Sequence, residues 1–190
     1  MSAAITDETL IQQALGGRQA AFATLVNRYE RYAFTLALRI VKNREDATEV
    51  AQDAFLRAFR YLPDFRGEAR FSTWLYKIVY STALNFLRKQ NPDIQSLDDD
   101  ERPVRLADQG APDASFTLEQ KDRNAALQAA INHLSSDDAA IITLFYLYEH
   151  SLEEICQITN LTMTNAKTKL CRARQRLKAI VESKFATELV

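Results

Sequence analysis

Apolar residues recur at three- and four-residue intervals along most of this chain, the spacing that lines one side of an α-helix, and no stretch alternates as a strand would. A first helix is predicted to start after Thr6 or Asp7 and to carry Leu10, Ile11 and Leu15 up to a break at Gly16 and Gly17. A longer helix follows, with Phe22, Leu25, Val26, Tyr29, Tyr32, Ala33, Leu36 and Ile40 on its apolar side and a turn at Asn43 and Arg44. The third, Glu45 to Leu62, places Ala47, Val50, Ala51, Ala54, Phe55, Ala58, Phe59 and Leu62 on one stripe. Its other side shows Asp46, Glu49, Gln52, Asp53 and Arg57, acidic toward the N-terminal end. In a fourth helix capped by Ser72, the positions Leu75, Ile78, Val79, Thr82 and Phe86 point inward, while Trp74, Lys77, Ser81, Asn85 and Arg88 share another face.

The pattern lapses between 91 and 117. This stretch holds three of the 4 Pro and 2 Lys+Arg against 7 Asp+Glu, the composition of a flexible acidic linker. Beyond it, Ser151 is placed to cap a short helix with Ile155 and Ile158, the chain turns through Thr159, Asn160 and Leu161, and Thr162 is placed to cap a helix carrying Ala166, Leu170, Ala173 and Leu177. Short helix, tight turn and second helix make a helix-turn-helix over about 152–171. Asn160 falls where the turn needs a left-handed backbone, which Asn tolerates better than most residues. The expected fold is therefore all-α: two small helical domains, 1–90 and 118–190, joined by the linker 91–117.

Composition changes this picture in one respect. With 47% hydrophobic and 26% charged residues the chain is globular, and its net charge of -1 argues against a nucleic-acid partner. The charge is segregated, however: residues 1–90 carry 13 Lys+Arg against 9 Asp+Glu, so the acidic excess lies in the linker. The first residues lack a signal peptide's basic start and apolar run, no stretch is long and apolar enough to insert in a membrane, and a cytoplasmic location is expected. Cys156 and Cys171 are far apart with no ligand spacing, which points to small buried hydrophobes with neither a metal site nor a disulfide. His133 and His150 have no paired nucleophile or carboxylate cluster and Gly16-Gly17 makes no phosphate loop, so neither catalytic residues nor a cofactor are expected.

Two clusters carry candidate chemistry. Between Phe65 and Arg88, Phe65, Phe71, Trp74, Tyr76 and Tyr80 interleave with Arg66, Arg70, Lys77 and Arg88, a combination that stacks unpaired bases while neutralising phosphates. From 167 to 178, Lys167, Lys169, Arg172, Arg174, Arg176 and Lys178 stand with no acid among them, a positive ridge suited to phosphates and groove edges.

With both clusters in order on either side of a linker, the chain resembles the bacterial extracytoplasmic-function (ECF, group IV) sigma factors of the sigma-70 family, over almost its whole length. Residues 10–41 resemble their region 2.1, residues 45–88 their regions 2.2 to 2.4, and residues 133–177 their region 4. The resemblance implies a stress-response transcription initiation factor whose partners are core RNA polymerase, through its β′ clamp helices and β flap, promoter DNA and an anti-sigma factor. It implies polymerase docking by Asp46, Glu49, Gln52, Asp53, Phe55, Leu56 and Arg57. It assigns the −10 element to Phe65, Arg66, Arg70, Phe71, Trp74, Lys77, Ser81, Asn85 and Arg88, with an extruded base held by the loop 64–71. It assigns the −35 element to Thr162, Thr164, Asn165, Lys167, Thr168, Lys169, Arg172, Arg174 and Arg176. Asn160 stands where that family often has Gly, Asn165 and Ala166 where Gly or Thr and Val are usual, and Met163 where a smaller aliphatic is common. Neither a third domain nor a sensing extension is expected. A free-standing helix-turn-helix regulator with a ligand-sensing first domain is the rival, and it leaves the face from Phe65 to Arg88 unexplained.

Overall fold

The computed structural model describes residues 5–90 and 127–184, and among them every regular element is helical. The chain divides into two compact units, one built on residues 5–90 and the other on most of residues 127–184. The expected linker, 91–117, and the first residues of the expected second domain lie outside the described residues.

In the first unit, α1 (Asp7–Leu15) is capped by Thr6, whose hydroxyl accepts the Thr9 N–H at 3.3 Å. Gly17, at φ 89, supplies the left-handed residue that ends it. α2 (Gln19–Val41) stops at Lys42, which is itself left-handed at φ 63 and donates its N–H to the Leu38 carbonyl. The turn expected at Asn43 and Arg44 resolves into a cap and a first helical residue: Asn43 accepts the N–H groups of Glu45 and Asp46 at 2.8 and 3.1 Å, and α3 spans Arg44–Tyr61. A 3-10 turn, Leu62–Asp64, leads to a loop and then to α4 (Phe71–Gln90). Ser72 is not the cap of α4. The Trp74 N–H reaches the Arg70 carbonyl at 3.1 Å, so the helix starts two residues earlier and Ser72 lies inside its first turn.

α2, α3 and α4 pack on one another and α1 lies on α2. Leu25, Leu36, Ile40, Val50, Leu75 and Val79 are wholly buried between them. The contribution of α3 is a seam of small residues, Ala47, Val50, Ala51, Ala54 and Ala58. Such a seam draws neighbouring helices close and leaves no room for rings. Phe55 accordingly is half-buried, and Phe59, expected on the stripe, is 49% exposed and meets Phe22 edge-on at 5.0 Å. On α4 the buried surface is wider than the expected stripe: Phe71, Tyr76, Tyr80 and Ala83 join Leu75, Val79 and Thr82, while Ile78 and Phe86 are half-buried.

α1 is tied to α2 by Asp7, whose carboxylate accepts from the Arg28 guanidinium and from the Tyr29 hydroxyl, and Arg28 also donates to the Ile5 carbonyl at 2.8 Å. Burial, and then this bond to Asp7, push the Tyr29 phenol well above its ordinary range.

In the second unit, residues 127–132 are the described part of α5. α6 (Ser136–Ile142), capped by Ser135, widens into a π-helical turn at Thr143–Leu147, where the Tyr148 N–H donates to the Thr143 carbonyl. α7 (Leu152–Thr159) opens with a reciprocal capping box: the Ser151 N–H donates to Glu154 Oε2 at 2.9 Å and the Glu154 N–H to Ser151 Oγ at 3.2 Å. Asn160 takes the left-handed turn position at φ 59. Thr162 then caps α8 (Met163–Lys184), its hydroxyl accepting the Asn165 N–H at 3.3 Å. Ile131, Ile141, Leu144, Ile155, Ala166, Leu170 and Ala173 are buried, whereas the expected Leu177 is half-buried. Cys156 and Cys171 are free and half-buried, not the core residues expected, because each lies off the buried stripe of its helix.

Candidate nucleic-acid interface

Three surfaces hold the residues singled out in the sequence. The first is the outer side of α3. Asp46, Glu49, Asp53 and Leu56 follow one another at three- and four-residue steps and so share a side, with Gln52 and Arg57 at its margins. Glu49 and Gln52 are exposed, Asp46, Asp53, Phe55 and Arg57 half-buried, and Leu56 is 59% exposed. Asp53 is held within the helix by Arg57 at 2.9 Å. Acids in the first turns suit the helix dipole, but an outward leucine beside them gains nothing from water. The surface therefore combines negative charge with exposed apolar area.

The second surface is the loop before α4 and the outward side of that helix. The Phe65 ring packs 5.1 Å from Trp74 and 5.9 Å from Phe71, and Phe71 lies 5.6 Å from Trp74, a three-ring cluster at the foot of the loop. Gly67 turns the loop at φ 72, and Arg66 and Arg70 are exposed on it. Trp74, Lys77, Ser81, Asn85 and Arg88 do share one side, and all but the half-buried Trp74 are exposed. Phe71 is buried, as are Tyr76 and Tyr80, so these three cannot stack on a base. Phe71 instead lies between Tyr29, 5.5 Å away, and the Phe65 and Trp74 rings, and supports them from within. Two partly exposed rings, Phe65 and Trp74, remain at a hollow that Arg66 and Lys77 line together with Asp64 and Glu68. Ser81 Oγ donates to the Ile78 carbonyl at 3.0 Å and keeps its lone pairs outward.

The third surface is α8. Opposite its buried stripe of Ala166, Leu170 and Ala173 lie Thr164, Asn165, Thr168 and Arg172, together with exposed Gln175, a polar residue that attention to charge alone passed over. The basic ridge is less uniform than its sequence. Lys167 is exposed, but Lys169 Nζ is 2.7 Å from Asp137, Arg176 is 2.6 Å from Asp138, and the Arg174 guanidinium lies over the Phe145 and Tyr146 rings, 5.6 Å from each centroid. Thr162 is spent on capping. Lys169, Arg174 and Arg176 therefore each have a role in holding their own unit, which runs in sequence could not reveal because the partners lie 32 and 38 residues away for the two ion pairs.

Among the described residues no helix is long and apolar enough to cross a membrane, and no group of three or more His, Cys, Asp or Glu is arranged to hold a metal ion.

The two units match two family models. Residues 25–92 match Sigma-70 region 2, and residues 124–177 match Sigma-70, region 4. The chain is 32% identical over 185 residues to the ECF RNA polymerase sigma-E factor of Haemophilus influenzae, covering 94% of this chain and 96% of that one. It is 33% identical over 177 residues to the ECF RNA polymerase sigma factor SigW of Bacillus subtilis, covering 88% and 92%. In fold it is similar to CnrH, solved in complex with the cytosolic domain of CnrY (TM-score 0.65, 22% identity, 94% of this chain and 98% of that one). It is similar also to the sigma factor RpoE of Bartonella quintana, solved with the anti-sigma factor NepR (TM-score 0.63, 21% identity, 86% and 98%).

Proposed function

Since this chain belongs to the ECF RNA polymerase sigma factors of the sigma-70 family, and so binds core polymerase and directs promoter-specific initiation, we propose how its three surfaces divide that work. The outer side of α3, with Glu49, Asp53 and Leu56 at its centre, docks on the β′ clamp helices of core polymerase. The loop 64–71 and the side of α4 bearing Trp74, Lys77, Ser81, Asn85 and Arg88 capture the melted −10 strand. The side of α8 bearing Asn165, Thr168 and Arg172 enters the major groove at the −35 element, while the second unit touches the β flap.

The single observation that carries this reading is similarity at 32% identity along 94% of the chain, across both units at once. A helix-turn-helix regulator with a sensing domain would share only the second unit. The geometry supplies the physics for the first. Extruding a base costs a few kcal/mol of stacking, and a contact with an aromatic ring returns about 1–3 kcal/mol per base. Phe65 and Trp74 offer such rings, and the cations beside them offset the phosphate charge. The chain itself makes and breaks no bond: it positions and opens DNA, and the polymerase forms the phosphodiester. It works where the polymerase does, in the cytoplasm. An anti-sigma factor that covers these surfaces holds it inactive, as NepR accompanies RpoE in the similar complex.

Mapping transcript 5′ ends on fragmented genomic DNA, with core polymerase alone and with core plus this chain, tests the reading. New start sites that depend on the chain and share two spaced elements are expected. An unchanged start-site profile refutes it.

A further inference from the structure

Adjacent acids on α6 hold cations two turns apart on α8, and the two pairs differ in kind. Asp138 is 1% exposed and cannot give up Arg176 without leaving a buried charge uncompensated. Asp137 and Lys169 are 14% and 24% exposed, and their 2.7 Å contact has the length of a charge-assisted hydrogen bond to any oxyanion. Water reaches this pair, so it can open.

We propose that Asp137 is a specificity-determining residue: its carboxylate occupies at Lys169 Nζ the place that a DNA phosphate oxygen would take, and so holds down sequence-independent binding by α8. The proposal rests on the reading that α8 faces duplex DNA. Sequence-independent affinity comes mainly from releasing counterions as cations neutralise phosphates. A lysine already neutralised by an internal carboxylate has few counterions to release. It must exchange one oxyanion for another, close to break-even. The exchange becomes favourable where neighbouring contacts hold a phosphate against Lys169. On the same side of α8 those contacts come from Asn165, Thr168 and Arg172, whose fit depends on the bases beneath them.

Full-length protein is titrated against a random-sequence duplex of about 30 base pairs over roughly 25 to 200 mM KCl. Asp137→Asn is expected to bind on the order of 3–10-fold tighter at the low-salt end, with the slope of log affinity against log salt steeper by about 0.9, the value of one added phosphate contact. Lys169→Ala in that background should remove the gain. Should the Asn variant fail to fold, Asp137→Ser takes its place. An Asp137 variant that binds no tighter, or a gain that survives Lys169→Ala, overturns the proposal. Arg172→Ala distinguishes the two levels: a shallower slope there with no gain from Asp137→Asn overturns the proposal alone, whereas no change in any variant overturns the placement of α8 on DNA as well.

Discussion

Asp138 and Arg176 are joined at 2.6 Å between α6 and α8, with the carboxylate almost wholly buried and the guanidinium more than half exposed. The asymmetry decides what each does. An arginine in solvent could serve DNA, but a buried carboxylate with its counter-ion removed is a large penalty, so the pair is first of all a clamp between α6 and α8.

Arg176→Ala should therefore destabilise the protein by roughly 1–3 kcal/mol, less than the ~3–5 kcal/mol of a fully buried pair because the guanidinium is partly hydrated. Urea unfolding of the full chain measures this. The salt slope of duplex binding should change far less than it does for Arg172→Ala.

Lys42 occupies a left-handed position at φ 63, which costs a non-glycine residue about 1–2 kcal/mol, against ~0.5–1 kcal/mol of extra chain entropy for glycine. Lys42→Gly should relieve about 0.5–1 kcal/mol of backbone strain in the first unit, with a further gain below about pH 8 where the unfavourably placed ammonium is lost, both read in thermal melts. A pH signature goes with it. Desolvation, and then the nearby Arg39, lower the Lys42 ammonium from 10.5 to about 8. Between those values the folded chain has released a proton that the unfolded chain still holds, so stability rises with pH across that window. The Gly variant should lose this rise when melts are compared between about pH 7 and 9.5, below the range in which Tyr29 titrates.

Reversing charge on the outer side of α3 should separate docking from folding. Glu49→Arg with Asp53→Arg removes the half-buried Asp53–Arg57 pair on the helix surface, worth about 0.3–0.5 kcal/mol, and touches none of the alanine seam. Helical content and melting should barely move while retention by immobilised core polymerase is lost. Normal retention would place the docking surface elsewhere.

Phe65→Ala and Ser81→Ala address the proposed strand-capture face. Phe65 shares ring contacts with Trp74 and Phe71 worth about 0.5–1.5 kcal/mol each, so its removal is checked for folding first. Both variants should leave −35 duplex binding intact and reduce permanganate reactivity of promoter thymines, a defect that a pre-melted −10 bubble partly restores. Full opening by both would move the pocket away from this loop.

Local chemistry was legible at the caps and turn of the second unit, though not at Ser72, where the aromatic Phe71 is drawn into the core and the helix starts ahead of the serine. Ser151 and Thr162 cap as expected, and Asn160 adopts the left-handed turn its side chain tolerates. Periodicity gave the helices but not how deep each face lies. Phe71, Tyr76 and Tyr80 are aromatic and next to bases, yet the packing of α4 on α2 and α3 draws them inside. Phe59 went the other way because alanines close the seam beside it. The ends of α8's cations were hidden for a different reason: Asp137 and Asp138 lie a whole helix-turn-helix away in sequence, and only the folded unit brings them to Lys169 and Arg176. The π turn at Thr143–Leu147 has no signature in its apolar residues at all.

The seam of Ala47, Ala51, Ala54 and Ala58 has a mechanical side. Larger core residues can absorb a shove by swinging to another rotamer, but a methyl group has no torsion that moves its surface, and these four leave no slack between α3 and its neighbours. A force applied to the outer side of α3 is passed to α4 by backbone displacement, without first being spent on side-chain rearrangement. On the proposed division of surfaces, the polymerase-facing and strand-facing sides of this unit would be two surfaces of one stiff plate, and how firmly the first is gripped would set how steadily the second is held against a strand that is trying to re-anneal.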